Sequence, residues 1–393
     1  MSRFDDLQAR MAEITRQLGS DGAGKATQAI QDALGAAGLT GSPGNSKAAS
    51  AGASSAMAQP AFVSELLSRL GVTYKDPGTP ASAADQMDAP ETDTQGRFVA
   101  GTYGNAAGSR RYKVYIPASY QGQAMPLMVM LHGCTQDADD FARGTQMNLL
   151  AEEQGFLVVY PTQDSAANTS KCWNWFKAID QTRGQGEPSL IAGITNEVID
   201  QYGLDRDAVF VAGLSAGGAM AVIMGSTYPD LYRAVGVHSG LPYAAASDLS
   251  SALSAMRGAA RRPDAGRRNP NAALQAIPVI VFHGDRDTTV SPANGSRVID
   301  DFVADFQHSG EENGVSDVVT TVIEEGKADS GHGFSRTSLH ADGRPVLAEH
   351  WLIHGAGHAW AGGSAKGSWT DAKGPDASRE MLRFFSTQRA AGK

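Results

Sequence analysis

The chain of 393 residues contains no apolar run long enough to cross a membrane, which takes about 20 residues. No metal-ligand spacing, phosphate loop or dinucleotide fingerprint stands out, so neither a metal nor any other cofactor is expected. Basic charge is in the minority: 33 Lys and Arg face 42 Asp and Glu, a formal net charge of -9. Phosphate contacts need a basic face, so a nucleic-acid partner is not expected. The one basic cluster, the five arginines from Arg257 to Arg268, falls in a polar segment and reads as a solvated loop. Met1 to Asp6 carries acids where a secretion signal needs a positive start and an unbroken apolar core. The expected localisation is therefore cytoplasmic, with secretion as the alternative.

What the chain does hold is a short motif in an informative setting. Ala208 to Ala212 is an apolar β-type run that drives into Gly213-Leu214-Ser215-Ala216-Gly217, and a helical run from Ala216 to Ser226 follows. A serine hydroxyl is a poor nucleophile until a base takes its proton, so Ser215 must sit on a sharp turn that a histidine can reach. A Cβ at either flanking position would crowd the adjoining strand or helix, which glycine avoids. In a chain with 45 glycines the bare motif is weak, and the strand, turn and helix around it supply the weight.

An acid and then a histidine should follow, each after a buried strand. Ile277 to Phe282 opens into His283-Gly284-Asp285-Arg286-Asp287. Asp287 is the expected acid, by analogy with hydrolase loops that place the carboxylate three residues after the glycine, and Asp285 is the alternative. Both could instead order the turn before a helix starting near Ser291. Leu347 to Ile353 ends in His354-Gly355-Ala356-Gly357-His358-Ala359-Trp360. His358, in a glycine-flanked loop, is the expected base, while His354 belongs to the strand end and reads as structural. Apart from His132, the other histidines read as surface or packing residues. The tetrahedral oxyanion needs donors, and the backbone N–H of Ala216 is one. Pro126 to Leu131 is a strand that delivers His132-Gly133-Cys134-Thr135-Gln136, and the Cys134 N–H is expected to be the second.

Strand candidates are Tyr112 to Ile116, Leu127 to Leu131, Phe156 to Tyr160, Val209 to Ala212, Ala234 to Val237, Ile277 to Phe282 and Leu347 to Ile353. Helical stretches such as Phe141 to Glu153 and Ile191 to Tyr202 separate them, which implies an α/β fold with a mostly parallel sheet and helices on both faces. Asp317 to Glu325 reads as an extra strand and Arg336 to His340 as an irregular segment. Ser215, Asp287 and His358 then fall at strand ends on one sheet edge, where ligands bind. About 250 to 300 residues suffice for such a body, so the surplus lies at the front. The expected division is an N-terminal region 1–95, a catalytic domain 96–387 and a tail 388–393. Gly38 to Gln59 is an Ala/Gly/Ser-rich stretch that reads as a disordered linker between two amphipathic runs, Phe4 to Leu18 and Phe62 to Leu70. These runs could dock on the catalytic domain, pair between chains or lie on an apolar surface.

Taken together, Leu131 to Gln136, Cys172-Trp173-Asn174-Trp175-Phe176, Gly213 to Gly217 and Gly357 to Trp360 resemble the polyhydroxybutyrate depolymerase family of esterases, from about Phe98 to Phe385. The resemblance implies an α/β-hydrolase fold and a serine esterase acting on poly(3-hydroxybutyrate) or its oligomers. Feruloyl and acetylxylan esterases share much of the pattern and are the alternative. A granule-associated protein with an idle triad, its N-terminal region working on the polyester granule surface, is the alternative from another class. Extracellular members of the family carry a signal, a linker and a separate polymer-binding domain, so this chain is expected to meet granule-bound polymer or soluble oligomers rather than crystalline polymer. The resemblance also implies a Cys134–Cys172 disulfide beside the oxyanion loop, though two thiols in a reducing cytosol fit the sequence equally well. Such a bridge would contribute roughly 3 to 4 kcal/mol by constraining the unfolded chain, and would pin the Cys134 amide. Trp173, Trp175 and Trp360 are candidate substrate-binding residues for the acyl pocket, with core packing as the alternative for each.

Overall fold

The computed structural model describes residues 96–259, 277–312, 318–329, 331–341 and 343–390. The linker and amphipathic runs expected within 1–95, most of the arginine cluster and the last residues of the tail lie outside the described residues. The remainder is built from strands β1 (Arg97–Asn105), β2 (Gly108–Ile116), β3 (Leu127–Leu131), β4 (Leu157–Thr162), β5 (Val209–Leu214), β6 (Ala234–His238), β7 (Val279–Gly284), β8 (Val319–Lys327), β9 (Gly333–Ala341) and β10 (Ala348–Ile353), with the short pair β11 (Trp360–Ala361) and β12 (Thr370–Asp371). Its helices are α1 (Ala138–Thr145), α2 (Met147–Gln154), α3 (Gly186–Tyr202), α4 (Ala216–Thr227), α5 (Leu249–Ser254), α6 (Ala293–Glu312) and α7 (Ala377–Ala390).

Ten strands form one sheet in the order β1-β2-β4-β3-β5-β6-β7-β10-β9-β8. From β4 to β10 every neighbouring pair is parallel, and antiparallel wings close both sides. Parallel strands buried on both faces read as continuous apolar runs, which is why the central strands stand out in the sequence. Alternate residues serve two cores. Val129, Val211 and Val281 pack with α3, α4 and α6 through Ile194, Met220 and Val298. Met130, Phe210 and Phe282 pack with α1, α2 and α7 through Phe141, Leu150 and Phe385. Helices thus cover both faces, and the carboxyl ends of β3, β5, β6, β7 and β10 share one edge.

Three elements depart from the sequence expectation. β1 has no counterpart among the strand candidates: it is a largely exposed edge strand, so it carries no apolar run. The segment expected to be irregular, Arg336 to His340, belongs to β9, whose mixed polar sequence pairs with β10 on one side and β8 on the other. The helix expected over Phe141 to Glu153 is two helices, broken where Gln146 adopts a left-handed φ of 55°. No described helix is long and apolar enough to cross a membrane.

Candidate active site

Ser215 occupies the turn from β5 into α4 with φ 57° and ψ -118°, a conformation that costs a side-chain-bearing residue about 1–3 kcal/mol unless its surroundings impose it. They do. A Cβ on Gly213 would lie 2.8 Å from the Leu131 carbonyl oxygen, and one on Gly217 would lie 2.6 Å from that of His132, so strand, helix and the loop after β3 close to a distance only glycine permits. The Ser215 amide is fixed by donating to the His238 carbonyl at 2.8 Å.

Asp287 follows β7 with its side chain fully buried. Oδ1 accepts from the amides of Thr289 (2.9 Å) and Val290 (2.8 Å), and Oδ2 accepts from His358 Nδ1 at 2.6 Å. Burial by itself would raise the Asp287 carboxyl, but hydrogen bonds from His283, His358 and the Val290 amide outweigh it and hold the group well below the usual carboxylate range. An ionised Asp287 assigns the His358 proton to Nδ1 and leaves Nε2 as an acceptor. The nucleophile and histidine loops are joined through His238: its carbonyl takes the Ser215 amide, and its Nε2 accepts the Ala361 amide at 3.0 Å, three residues beyond His358. Burial, with His283 and His358 nearby, pushes His238 down to about 3, so its ring stays neutral and able to accept.

The alternative acid and the alternative histidine find each other instead. Asp285 Oδ2 lies 3.2 Å from His354 Nδ1, Asp285 Oδ1 accepts the Gly355 amide at 2.7 Å, and His354 Nε2 meets Ser335 Oγ at 2.9 Å. This half-exposed pair ties the β7 and β10 loops together away from the buried Asp287–His358 pair.

The loop after β3 presents the amides. Gly133 N–H is taken by Gln136 Oε1 at 2.9 Å, whereas the N–H groups of Cys134 and Ala216 have no protein acceptor among the described residues. His132 is buried and structural: its Nδ1–H donates to Gly133 O at 2.7 Å and its Nε2 accepts from the Gln163 amide at 3.0 Å. Burial pushes it down to about 4, so it is neutral in this role. Cys134 is bonded to Cys172 with Cα atoms 4.2 Å apart. The Cys172 segment is itself anchored on buried Glu187, which accepts from the Asn174 amide and side chain, both at 2.7 Å, and pairs with Arg110 at 3.3 Å.

The three tryptophans expected in the acyl pocket are core residues. Trp173 has no exposed surface and packs 5.6 Å from the His132 ring. Trp175 is buried edge-on to Phe176, and Trp360 is buried between Phe141 and His238 with its Nε1–H on Ser378 Oγ at 3.0 Å. An indole without a free face cannot present one to a substrate, so Trp173, Trp175 and Trp360 are reassigned to packing. Of the five tryptophans only Trp369 is not buried. Its ring stands edge-on to His358 at 6.1 Å, and its Nε1–H donates to Thr135 Oγ1 at 3.3 Å, beside Cys134. Sequence reasoning missed it because Gly367-Ser368-Trp369 sits in a polar stretch with no periodicity, and that isolation was the only available signal. Among the described residues no group of three or more His, Cys, Asp or Glu is placed to hold a metal ion.

Comparison with known proteins bears on the fold and the family. The solved structure of an acetyl xylan esterase from Aspergillus awamori matches with a TM-score of 0.57 at 18% identity, covering 74% of this chain and 99% of that one, and shows the shared α/β-hydrolase fold. Poly(3-hydroxyalkanoate) depolymerase C of Paucimonas lemoignei is 33% identical over 263 residues, 65% of this chain and 60% of that protein. The probable acetylxylan esterase A of Aspergillus fumigatus is 29% identical over 233 residues, 54% of this chain and 60% of that protein. The chain thus spans about 60% of the length of these curated relatives. The family described as Esterase PHB depolymerase matches residues 110–314, more than half of the chain and the stretch that holds Cys134, Cys172, Ser215 and Asp287, and the chain belongs to that family.

Proposed function

We propose that the protein is a serine esterase that hydrolyses poly(3-hydroxybutyrate) or its oligomers through an acyl-Ser215 intermediate. The observation that carries this reading is the buried Asp287–His358 pair, 2.6 Å apart, on the same sheet edge as a strained Ser215. His358 Nε2 takes the Ser215 proton as the oxygen attacks the ester carbonyl, and Asp287 stabilises the imidazolium. The oxyanion is met by the unoccupied amides of Cys134 and Ala216. When the tetrahedral intermediate collapses, the alkyl oxygen leaves with the proton from His358. Water then repeats the sequence on the acyl-serine and releases the hydroxy acid.

Support for a polyester comes from the Paucimonas lemoignei relative and from Trp369, whose half-buried indole beside His358 suits an apolar chain segment. A feruloyl or acetylxylan esterase is the second reading, supported by the Aspergillus fumigatus relative. The Cys134–Cys172 bridge favours the exported alternative over a cytoplasmic enzyme, because disulfides persist in oxidising compartments. Purified protein and its Ser215→Ala variant, offered amorphous polyester granules, hydroxybutyrate oligomers, acetylated xylan and methyl ferulate in parallel, test the assignment. Release of 3-hydroxybutyrate by the parent alone is expected. Preference for the acetyl or feruloyl esters would move the enzyme to the second reading, and the absence of any turnover would leave a non-catalytic, granule-associated role.

A further inference from the structure

One fully buried histidine lies outside the proton path from Ser215 to His358. His283 sits near the end of β7, four residues before Asp287, and its side chain has no solvent exposure. Its Nε2 lies 2.9 Å from the Val290 carbonyl oxygen and 3.4 Å from Asp287 Oδ2. A carbonyl and a carboxylate only accept, so Nε2 must carry a proton. His283 Nδ1 has no hydrogen-bond partner among the described residues, and neither has His350 Nε2 on the adjoining β10. A Cβ built on Gly295 of α6 would lie 3.0 Å from His283 Nδ1 and 3.1 Å from His350 Nε2, so both nitrogens face one small space. Burial and the neighbouring His283 push His350 down to about 4, which keeps it neutral there.

Oδ1 of Asp287 is fixed by two backbone amides, and Oδ2 is the oxygen that serves His358. A carboxylate oxygen with one donor can pivot about that bond, whereas a second donor restrains it. We propose that His283 is a positioning residue for the triad acid: its Nε2–H, shared between Val290 O and Asp287 Oδ2, holds the carboxylate in the orientation that keeps His358 in its Nδ1–H tautomer. The proposal rests on the reading of Ser215, Asp287 and His358 as a triad. Among the described residues, His283 interacts with His238 from β6, His350 from β10 and Asp287 from the loop after β7, and Asp287 in turn holds His358. His238 and His350 are held neutral, so the effect of His283 reaches His358 through Asp287.

The test compares His283→Leu, which removes the donor, with His283→Gln, whose side-chain amide can restore it, using a short p-nitrophenyl ester and the full pH profile of kcat/KM. His283→Leu is expected to lower kcat about tenfold, the weight of one hydrogen bond to a charged group, with KM unchanged. A carboxylate with one donor fewer binds the imidazolium more strongly, so the acid limb of the profile is expected to move to higher pH. His283→Gln is expected to recover most of both losses. A purely structural role would lower the folded fraction and leave the limb in place. If Ser215→Ala stays active, the triad reading fails. If Ser215→Ala is dead while His283→Leu keeps the parent kcat and limb, only the positioning role fails. Nitrogen-15 NMR of the parent protein decides the matter even if a variant does not fold, since a His283 Nε2 found without a proton would overturn the proposal.

Discussion

Gly217→Ala isolates the geometry of the oxyanion hole from its chemistry. The added Cβ would overlap the Leu131 carbonyl oxygen and lie 2.6 Å from that of His132. Carbon and oxygen settle at about 3.3 Å or more, so helix α4 and the loop after β3 must separate by something on the order of 1 Å. Those carbonyls belong to the two residues that lead into Gly133 and Cys134, while Gly217 immediately follows Ala216, so the two proposed oxyanion donors move apart. Donors act only within about 2.7–3.1 Å of the developing oxyanion, and losing one costs about 10²–10³-fold in kcat. The overpacking itself costs about 1–3 kcal/mol of stability. The assay is kcat on p-nitrophenyl butyrate, corrected for folded fraction by active-site titration, with a thermal melt alongside. Gly357→Ala is the control: it adjoins the proposed base, yet its Cβ would meet nothing within 4 Å. Parent-like kcat and Tm for Gly217→Ala, or an equal loss for Gly357→Ala, would refute the reasoning.

Asp287→Asn is expected to lower kcat by about 10⁴-fold by stabilising the wrong His358 tautomer. Asp285→Asn should stay near the parent, because the Asp285–His354 pair is half-exposed and such pairs contribute about 0–1 kcal/mol; steady-state kinetics of both variants decide between the two acids. Cys172→Ser should lower the unfolding free energy by roughly 3 to 4 kcal/mol and also reduce kcat, since it releases the Cys134 amide, and full kcat under oxidising conditions would remove the bridge from the site. Acid should destabilise the fold. His132, His238 and His350 titrate at about 4, 3 and 4 in the fold against 6.5 in the open chain, so the unfolded state binds more protons between those values and stability falls as pH drops from 6.5. Asp287, held low, adds stability above its unfolded value that is likewise lost on acidification, while Asp180, raised to about 6 by burial and then by Glu187, acts in the opposite sense and offsets part. Urea midpoints that do not fall between pH 7 and pH 5 would contradict this balance.

The central strands were legible because burial on both faces writes an unbroken apolar run, and the nucleophile turn because glycine is needed on both sides of it. The wings were not. β1 and β9 spend part of their surface on solvent and alternate polar with apolar residues, so their pairing is fixed by neighbours rather than by their own sequence. In the sequence only analogy favours Asp287 over Asp285; what separates them physically is that the first is enclosed and receives two backbone amides, while the second ends half-exposed against His354. For tryptophan the sequence fails in a different way. An indole supplies the same apolar area to a core or a pocket, and only packing shows that Trp173, Trp175 and Trp360 are enclosed while Trp369 is not.

Backbone strain gathers where the chemistry is proposed. Thr135, Ser215 and Trp369 all have positive φ, at 68°, 57° and 54°, although none is glycine. Such conformations cost about 1–3 kcal/mol each and persist only where the surrounding structure over-determines them. The restraints are long-range in every case. Ser215 is held by the His238 carbonyl at the end of β6. Thr135 is held by its amide on Ser170 O at 2.7 Å, beside the Cys134–Cys172 bridge. Trp369 is held by its carbonyl on the Trp360 amide at 2.7 Å and by its indole on Thr135. None of these three residues could keep its conformation from local sequence alone, so the shape of the cleft is a property of the assembled sheet edge. The same dependence makes the site vulnerable to changes far from Ser215: loosening the disulfide, the β11–β12 pair or His238 releases strain, and the geometry that is lost is the one the proposed reaction needs.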